Sequence, residues 1–587
     1  MIRRVRKSFA GGFAMLFVLA AAGASPRAQA QDYAVEAGNI GVPGGSLVVA
    51  LRTEPKTLNP VLSVDATSRE VIGMLNADLV HINRATQHTE PALAKSWKIS
   101  PDGKRYVLRL RRGIKFSDGS PFTAADVVFS FQLYLDEKLH SPQRDLLVLD
   151  DKPVSVKKID DYSVEFDLPK PYGPAERIFD GLAIMPRHLL EAPYREGKLA
   201  QIWSTNTPPS AMAGLGPFRL KEYVPGQRIV VERNPYYWKI DAKHNHLPYL
   251  SELIFIFVPN EDAQVIRFQS GETHIIERLN SDNFAVLQRD AKATGPCMED
   301  LGSGLEFQFL FFNLNTLDSA KMPQLAQKQT WFRNPQFRQA VSLAMDRKGM
   351  ARLVYGGRAT PLWGNVTPGD KLWLNTNLPR PERSFEQARS LLQSARFSWD
   401  SAGQLLDSAG HPVSFSILVS SSNAQRTKLA AIAQDDLKHL GMDVQVVPME
   451  FRALVDRILN TKDYEAALMN LVNGDTDPTP EMNLWLSSGE THLWDLGEVK
   501  PATPWEAELD QLMQAQMVGT SYAKRKKLYD RAQEIISQNV PLIFLLSPNI
   551  LVGAQATVGN FHPAILEPYA LWNADQIYLR PAGAACR

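Results

Sequence analysis

Thiol chemistry is almost missing from this chain: 587 residues carry two cysteines, Cys297 and Cys586. One disulfide at most can form, and an oxidising compartment would allow it. It would tie the end of the chain back to its middle; the other reading is two free buried thiols. The short motifs that announce catalysis are missing as well. There is no H-E-x-x-H, no G-x-S-x-G and no P-loop, hence no zinc-peptidase helix, nucleophile elbow or phosphate cradle. Two fragments imitate a serine-acylating enzyme: Ser155-Val156-Lys157-Lys158 fits S-x-x-K and Ser281-Asp282-Asn283 fits S-D-N. K-T-G, the third element, is absent. The first fragment also lies in a strand pattern, where such a nucleophile should open a buried helix. His244 and His246 stand alone and read as solvated loop residues. No catalytic residue, cofactor or resident metal is therefore expected. Charge of one sign is lacking too. The net charge is +1, which leaves no electrostatic footprint for nucleic acid; the basic run at 524–527 reads as a solvated helix face. Long apolar runs are absent except near the start of the chain, so no other membrane span is expected.

What is present begins with an address. Arg3, Arg4, Arg6 and Lys7 precede an apolar stretch at 9–22, and Ala28-Gln29-Ala30 has the A-x-A form of a cleavage site. Residues 1–30 read as a signal peptide, with the mature chain starting at Gln31. The apolar stretch is shorter than the roughly twenty residues of a transmembrane helix. No cysteine follows it to carry a lipid, so a soluble periplasmic protein is expected. The hydrophobic share is 44% and the charged share 22%, ordinary for a globular chain of about two to four domains.

Residues 92–137 carry the densest local pattern, ALAKSWKISPDGKRYVLRLRRGIKFSDGSPFTAADVVFSFQLYLDE. Pro101-Asp102-Gly103 and Ser117-Asp118-Gly119 are turns. Between them Tyr106, Leu108 and Leu110 alternate with arginines, which predicts a half-buried strand. Thr123-Ala124-Ala125-Asp126 has the form of a capping box, and Val127, Phe131 and Leu135 recur on one helix face. From 384 onward helices and strands alternate, which implies parallel βαβ units and an open sheet. Ligands in such sheets sit beyond the carboxyl ends of strands. A strand is expected at 464–470, so the segment to inspect is Val472-Asn473-Gly474-Asp475-Thr476-Asp477-Pro478. Either aspartate suits a cation, and Asp477 equally suits an Asx turn that caps the next helix. Trp485 and Trp494 follow, and Trp363 and Trp373 lie on a loop-rich stretch. Aromatic walls suit a tolerant pocket, although each tryptophan taken singly suits a core.

The wording of the stretch from 92 closely resembles the signature of the family 5 solute-binding proteins of ABC importers, the peptide, dipeptide and nickel binding group. Other phrases resemble the same family in order: GGSLVVALRTEPKTLNPVL from 44, MPRHLL from 185, GLGPFRLKEYVPGQRIVVERNPYYW from 214 and NPQFRQAVSLAMDRKGMARLVYGGRA from 334. The resemblance spans about 45–580. It implies an α/β, periplasmic binding protein-like type II fold, two lobes with a hinge plus an extra small α+β domain. Lobe I would hold 31–87, 205–300 and 540–587, the extra domain 88–204, and lobe II 301–539. It also implies a monomer without catalysis that closes on a solute and docks on an ABC permease. In peptide-binding members an aspartate of this Gly-Asp…Asp-Pro loop receives the ligand's α-ammonium group, which here implies Asp475 or Asp477. A short peptide is the expected solute, held by that loop and by Trp363, Trp485 and Trp494. An oligosaccharide, a metal complex or a sensory role are the alternatives. No arginine stands out as the partner of a ligand carboxylate.

Overall fold

The structure, a computed structural model, describes residues 31–291 and 295–586. The signal-peptide segment lies outside the described residues.

The stretch from 92 folds as its local signals dictate. Arg105–Leu110 is a strand with Tyr106, Leu108 and Leu110 buried. The Thr123 hydroxyl and the Asp126 carboxylate exchange backbone hydrogen bonds in a complete capping box, and helix Ala124–Leu135 follows. This unit belongs to a four-stranded antiparallel sheet ordered Ala94–Ile99, Arg105–Leu110, Ser163–Asp167, Ser155–Asp160. The S-x-x-K fragment therefore sits on an exposed edge strand. The sheet packs on helix Ala124–Leu135 around Val127, Phe131 and Phe166, and the same cluster takes in Val61, Tyr237, Trp238 and Tyr249 from flanking parts of the chain. The small domain thus shares its core with its neighbour.

The two lobes are halves of one 12-stranded sheet. Lobe I contributes Phe218–Val224, Arg228–Arg233, Glu252–Phe257, Ser46–Leu51 and Ile275–Ile276, in that spatial order. Lobe II contributes Glu306–Phe312, Ala466–Val472, Ser414–Ser420 and Asp443–Met449. The expected parallel pairs are present, Ser46–Leu51 with Glu252–Phe257 and Ser414–Ser420 with Asp443–Met449. Between the halves runs Leu542–Ala554, 13 residues long. Its first part pairs with Glu306–Phe312 and its last part with Cys297–Ser303 and Ile275–Ile276. Two adjacent antiparallel segments therefore carry the chain from lobe to lobe, the geometry of a hinge. Separate apolar cores flank it. Lobe II is built around Phe307, Phe309, Phe311, Phe332 and Trp485, and lobe I around Leu47, Val49, Phe218, Phe255 and Leu571.

The phrase from 214 owes its glycines to close packing. A side-chain carbon at Gly216 would lie 2.5 Å from the Met74 carbonyl oxygen, so only glycine lets this segment pass the end of helix Ala66–Leu75. Cys297 and Cys586 are joined in a disulfide, which selects between the two readings left open by the sequence.

Candidate functional site

Strand Ala466–Val472 ends two residues later than the pattern suggests, and the loop that follows is heavily bonded. Glu481 anchors it from below. This buried carboxylate accepts from Asn473 Nδ2 (2.5 Å), Asn365 Nδ2 (2.9 Å), Trp485 Nε1 (2.6 Å) and the Tyr529 hydroxyl (2.9 Å). Burial pushes its carboxyl above the ordinary range against those four donors.

The two aspartates have separate fates. Asp475 forms a two-pronged pair with Arg177, a residue of the small domain. The same guanidinium donates to Thr476 Oγ1 at 2.9 Å. Asp477 points the other way, into lobe II. It is 4% exposed and accepts from Arg525 Nη1 and Nη2, both at 2.8 Å. Burial alone would raise its carboxyl, but the Arg525 hydrogen bonds and charge outweigh burial and hold it below the usual range. Its Oδ1 also accepts from the Thr479 amide at 3.0 Å, the Asx turn. Asp477 is thus half of a buried pair with Arg525. Arg525 lies in the basic run read as solvated, yet it is buried and stacks over Trp373.

The three tryptophans expected to form an aromatic wall lie apart from the loop aspartate Asp475. Trp485 and Trp494 are 0% exposed, their indole nitrogens bonded to Glu481 and Glu506. Each is a core residue. Trp363 is half-buried and lines a different cavity of about 350 Å³, with Gln339, Arg347, Leu391 and Phe544. None of these three meets Asp475.

A cavity of about 410 Å³ does lie where lobe I, the small domain and the lobe II loop converge. Lobe I lends Ile72, Met74, Arg69, Glu70, Arg278, Glu567 and Trp572; the small domain lends Glu90 and Ala183; lobe II lends Gly474. The loop is therefore at the cavity, but through its glycine, with Asp475 already held by Arg177. Glu70 is the notable group. Among the described residues no hydrogen bond reaches its side chain, and burial, with the charges of Glu277 and Glu567 added and Arg278 opposing, pushes its carboxyl up to about 8. Arg278 Nη2 bonds Glu567 Oε1 at 2.8 Å. On the rim His81 lies 3.2 Å from Asp78 and 3.5 Å from Asp180. Burial would lower the His81 ring, and the two carboxylates outweigh it and raise it. Sequence reasoning missed Arg177, Glu70, Arg278, Glu567 and Trp572. They come from segments far apart in the chain, and no local spacing marks them. The GGSLVVALRTEPKTLNPVL phrase, just upstream of Glu70, was the nearest available signal.

The arrangement can enclose a solute with both a cationic and an anionic group; among the described residues no nucleophile–base pair faces the cavity. No described helix is long and apolar enough to cross a membrane.

Known proteins place this architecture. The chain is 26% identical over 518 residues to a probable ABC transporter-binding protein of Deinococcus radiodurans, covering 84% of this chain and 85% of that one. It is 26% identical over 521 residues to the oligopeptide-binding protein AppA of Bacillus subtilis, covering 86% and 87%. Its fold matches the solved structure of HbpA2 from Haemophilus parasuis with a TM-score of 0.75 at 23% identity, over 92% of this chain and all of that one. The profile of the bacterial extracellular solute-binding proteins, family 5 (middle region), matches residues 88–492, and the chain belongs to that family.

Proposed function

We propose that this protein captures short peptides in the cavity between its lobes and delivers them to the permease of an ABC importer. The observation that carries the reading is the cavity itself. It is lined by three parts of the chain, carries carboxylates and guanidinium groups, and has apolar surface from Ile72, Met74 and Trp572. A peptide offers the matching chemistry, an ammonium, a carboxylate and varied side chains. The likeness to an oligopeptide-binding protein supports the same solute class. In this reading Asp475 serves closure through Arg177, and the Glu70 group takes the ammonium that the loop aspartate was expected to take. The chain performs no catalysis and acts as a monomer in the periplasm after removal of residues 1–30. The divisions 31–87, 88–204, 205–300, 301–539 and 540–587 serve as its working domain limits.

The test is to purify the protein from its host without denaturation and identify the released solute by mass spectrometry. A ladder of short peptides with free amino termini is expected. A single sugar, metal complex or lipid-like solute would overturn the reading. Glu70→Gln should weaken peptide binding at least tenfold, the scale of one charge-assisted hydrogen bond of about 1.5–3 kcal/mol. Asp475→Asn should weaken it through closure only.

A further inference from the structure

Lobe II holds a second convergence of ionisable side chains, none of which lines the cavity. His492, Glu498 and Glu506 each offer one ligating atom, and these atoms all lie within 4.8 Å of one another. His492 is 0% exposed. Its Nδ1 lies 3.1 Å from the Leu484 carbonyl oxygen, which can only accept, so Nδ1 carries a proton and Nε2 is the atom turned to the cluster. Nε2 has no hydrogen-bond partner and faces Glu506 Oε1 at 3.7 Å. Both oxygens of Glu498 are buried and accept no well-formed hydrogen bond; the Asp495 carboxyl and the Ala502 amide are its nearest polar neighbours.

The remaining members are held in place by ordinary contacts. Glu506 Oε2 accepts from the Thr503 amide at 3.0 Å and hydroxyl at 2.7 Å, and Oε1 accepts from Trp494 Nε1 at 3.1 Å. Asp495 Oδ1 accepts from the Thr316 amide at 3.2 Å. Two cations stand near, and both are engaged by carbonyls. Arg333 donates to those of Leu314 and Asn315, and Lys462 to that of Leu496. Three carboxyl groups and one imidazole therefore meet, and the donors present are spent on Glu506 and Asp495, leaving both Glu498 oxygens and His492 Nε2 unsatisfied. Buried carboxylates in this state are costly unless a cation joins them.

We propose that His492, Glu498 and Glu506, with Asp495 beside them, hold a divalent cation of the Zn²⁺ or Mn²⁺ type. Mixed imidazole and carboxylate donors suit that class. The Nδ1 contact to a backbone carbonyl is the outer bond by which a ligating histidine is oriented. The cation fastens the 492–506 segment, which joins short helix Met482–Trp485 to helix Pro504–Val518. The comparable group at the cavity rim, Asp78, His81 and Asp180, is explained by its own chain. Asp180 accepts from the Ile82 amide at 2.8 Å and pairs with Arg84 at 3.5 Å.

The test strips the protein with a chelator, then measures ZnCl₂ and MnCl₂ binding by calorimetry and the melting temperature with and without metal. One equivalent of Zn²⁺ with a rise in Tm is expected, both lost in Glu498→Gln. Mn²⁺ should quench tryptophan fluorescence in the wild type and not in that variant, because Trp494 is bonded to Glu506. Glu498 is only half-buried as a residue, so its variant tests the site even if His492→Gln fails to fold. The proposal fails if the wild type binds no metal; a rise in Tm of metal-free Glu498→Gln would then mark carboxyls that share protons. It fails equally if bound Zn²⁺ survives Glu498→Gln and is lost in His81→Ala.

Discussion

Asp477 and Arg525 show how a charge can look functional in sequence and be structural in space. Each satisfies the other inside lobe II, with two hydrogen bonds of 2.8 Å. Asp477→Ala leaves a buried guanidinium unpaired and should cost about 3–5 kcal/mol, measured by urea unfolding with the wild-type slope retained. Glu70 makes the opposite case. Its folded carboxyl titrates at about 8 against an ordinary 4.5, so the folded chain keeps a proton that the unfolded chain has lost. Its contribution to stability is complete below the ordinary value and declines as pH rises through the window up to about 8. Glu70→Gln should flatten that decline in a pH series of melting curves. A cationic solute needs the ionised form, so its affinity should rise from pH 6 to pH 8 in the wild type and stay level in the variant. At this scale the sequence was least legible. A tryptophan after a loop looks the same whether it faces a cleft or a core. For Trp485 and Trp494 the answer came from Glu481 and Glu506, carboxylates whose burial no local pattern reveals.

Secondary elements were far more legible, because their signals are local. The capping box at Thr123, the alternation at Tyr106, Leu108 and Leu110, and strand Ser46–Leu51 all lie where residue chemistry alone puts them. Thr123→Ala should destabilise the small domain by about 1 kcal/mol, read as a shift in the denaturation midpoint. The end of strand Ala466–Val472 was misjudged by two residues because pairing sets it. Val472 lies opposite Glu306 on the neighbouring strand, a partner more than a hundred and fifty positions away. Gly216 belongs to this scale as well. Its replacement by alanine forces the segment away from helix Ala66–Leu75 and should lower the melting temperature by several degrees, at a cost of about 1–3 kcal/mol.

Across the whole molecule, the tie that matters is Arg177 with Asp475, because it links the small domain to the loop of lobe II. Arg177→Ala should loosen closure. Small-angle scattering of the solute-free variant should give a larger radius of gyration than the wild type, and saturating solute should reverse the difference. An unchanged radius would show that the tie does not hold the lobes together. The architecture was legible because family phrases run the length of the chain. The tie was not, since its partners lie in different domains and each has an ordinary surface setting in sequence.

Strand Leu542–Ala554 also governs how the chain comes to be folded in time. Synthesis runs from the amino end, so most of both lobes exists before this strand does. Yet Leu542, Ile543 and Phe544 complete the core of lobe II, and Ala554 with Leu571 and Ile577 completes that of lobe I. Neither half can finish first by a wide margin. Until the last few dozen residues arrive the nascent chain holds two open sheet edges side by side, which is the period when it most needs a chaperone. A stop codon or frameshift anywhere before residue 542 would then yield no half-working protein, only a chain with nothing to close it.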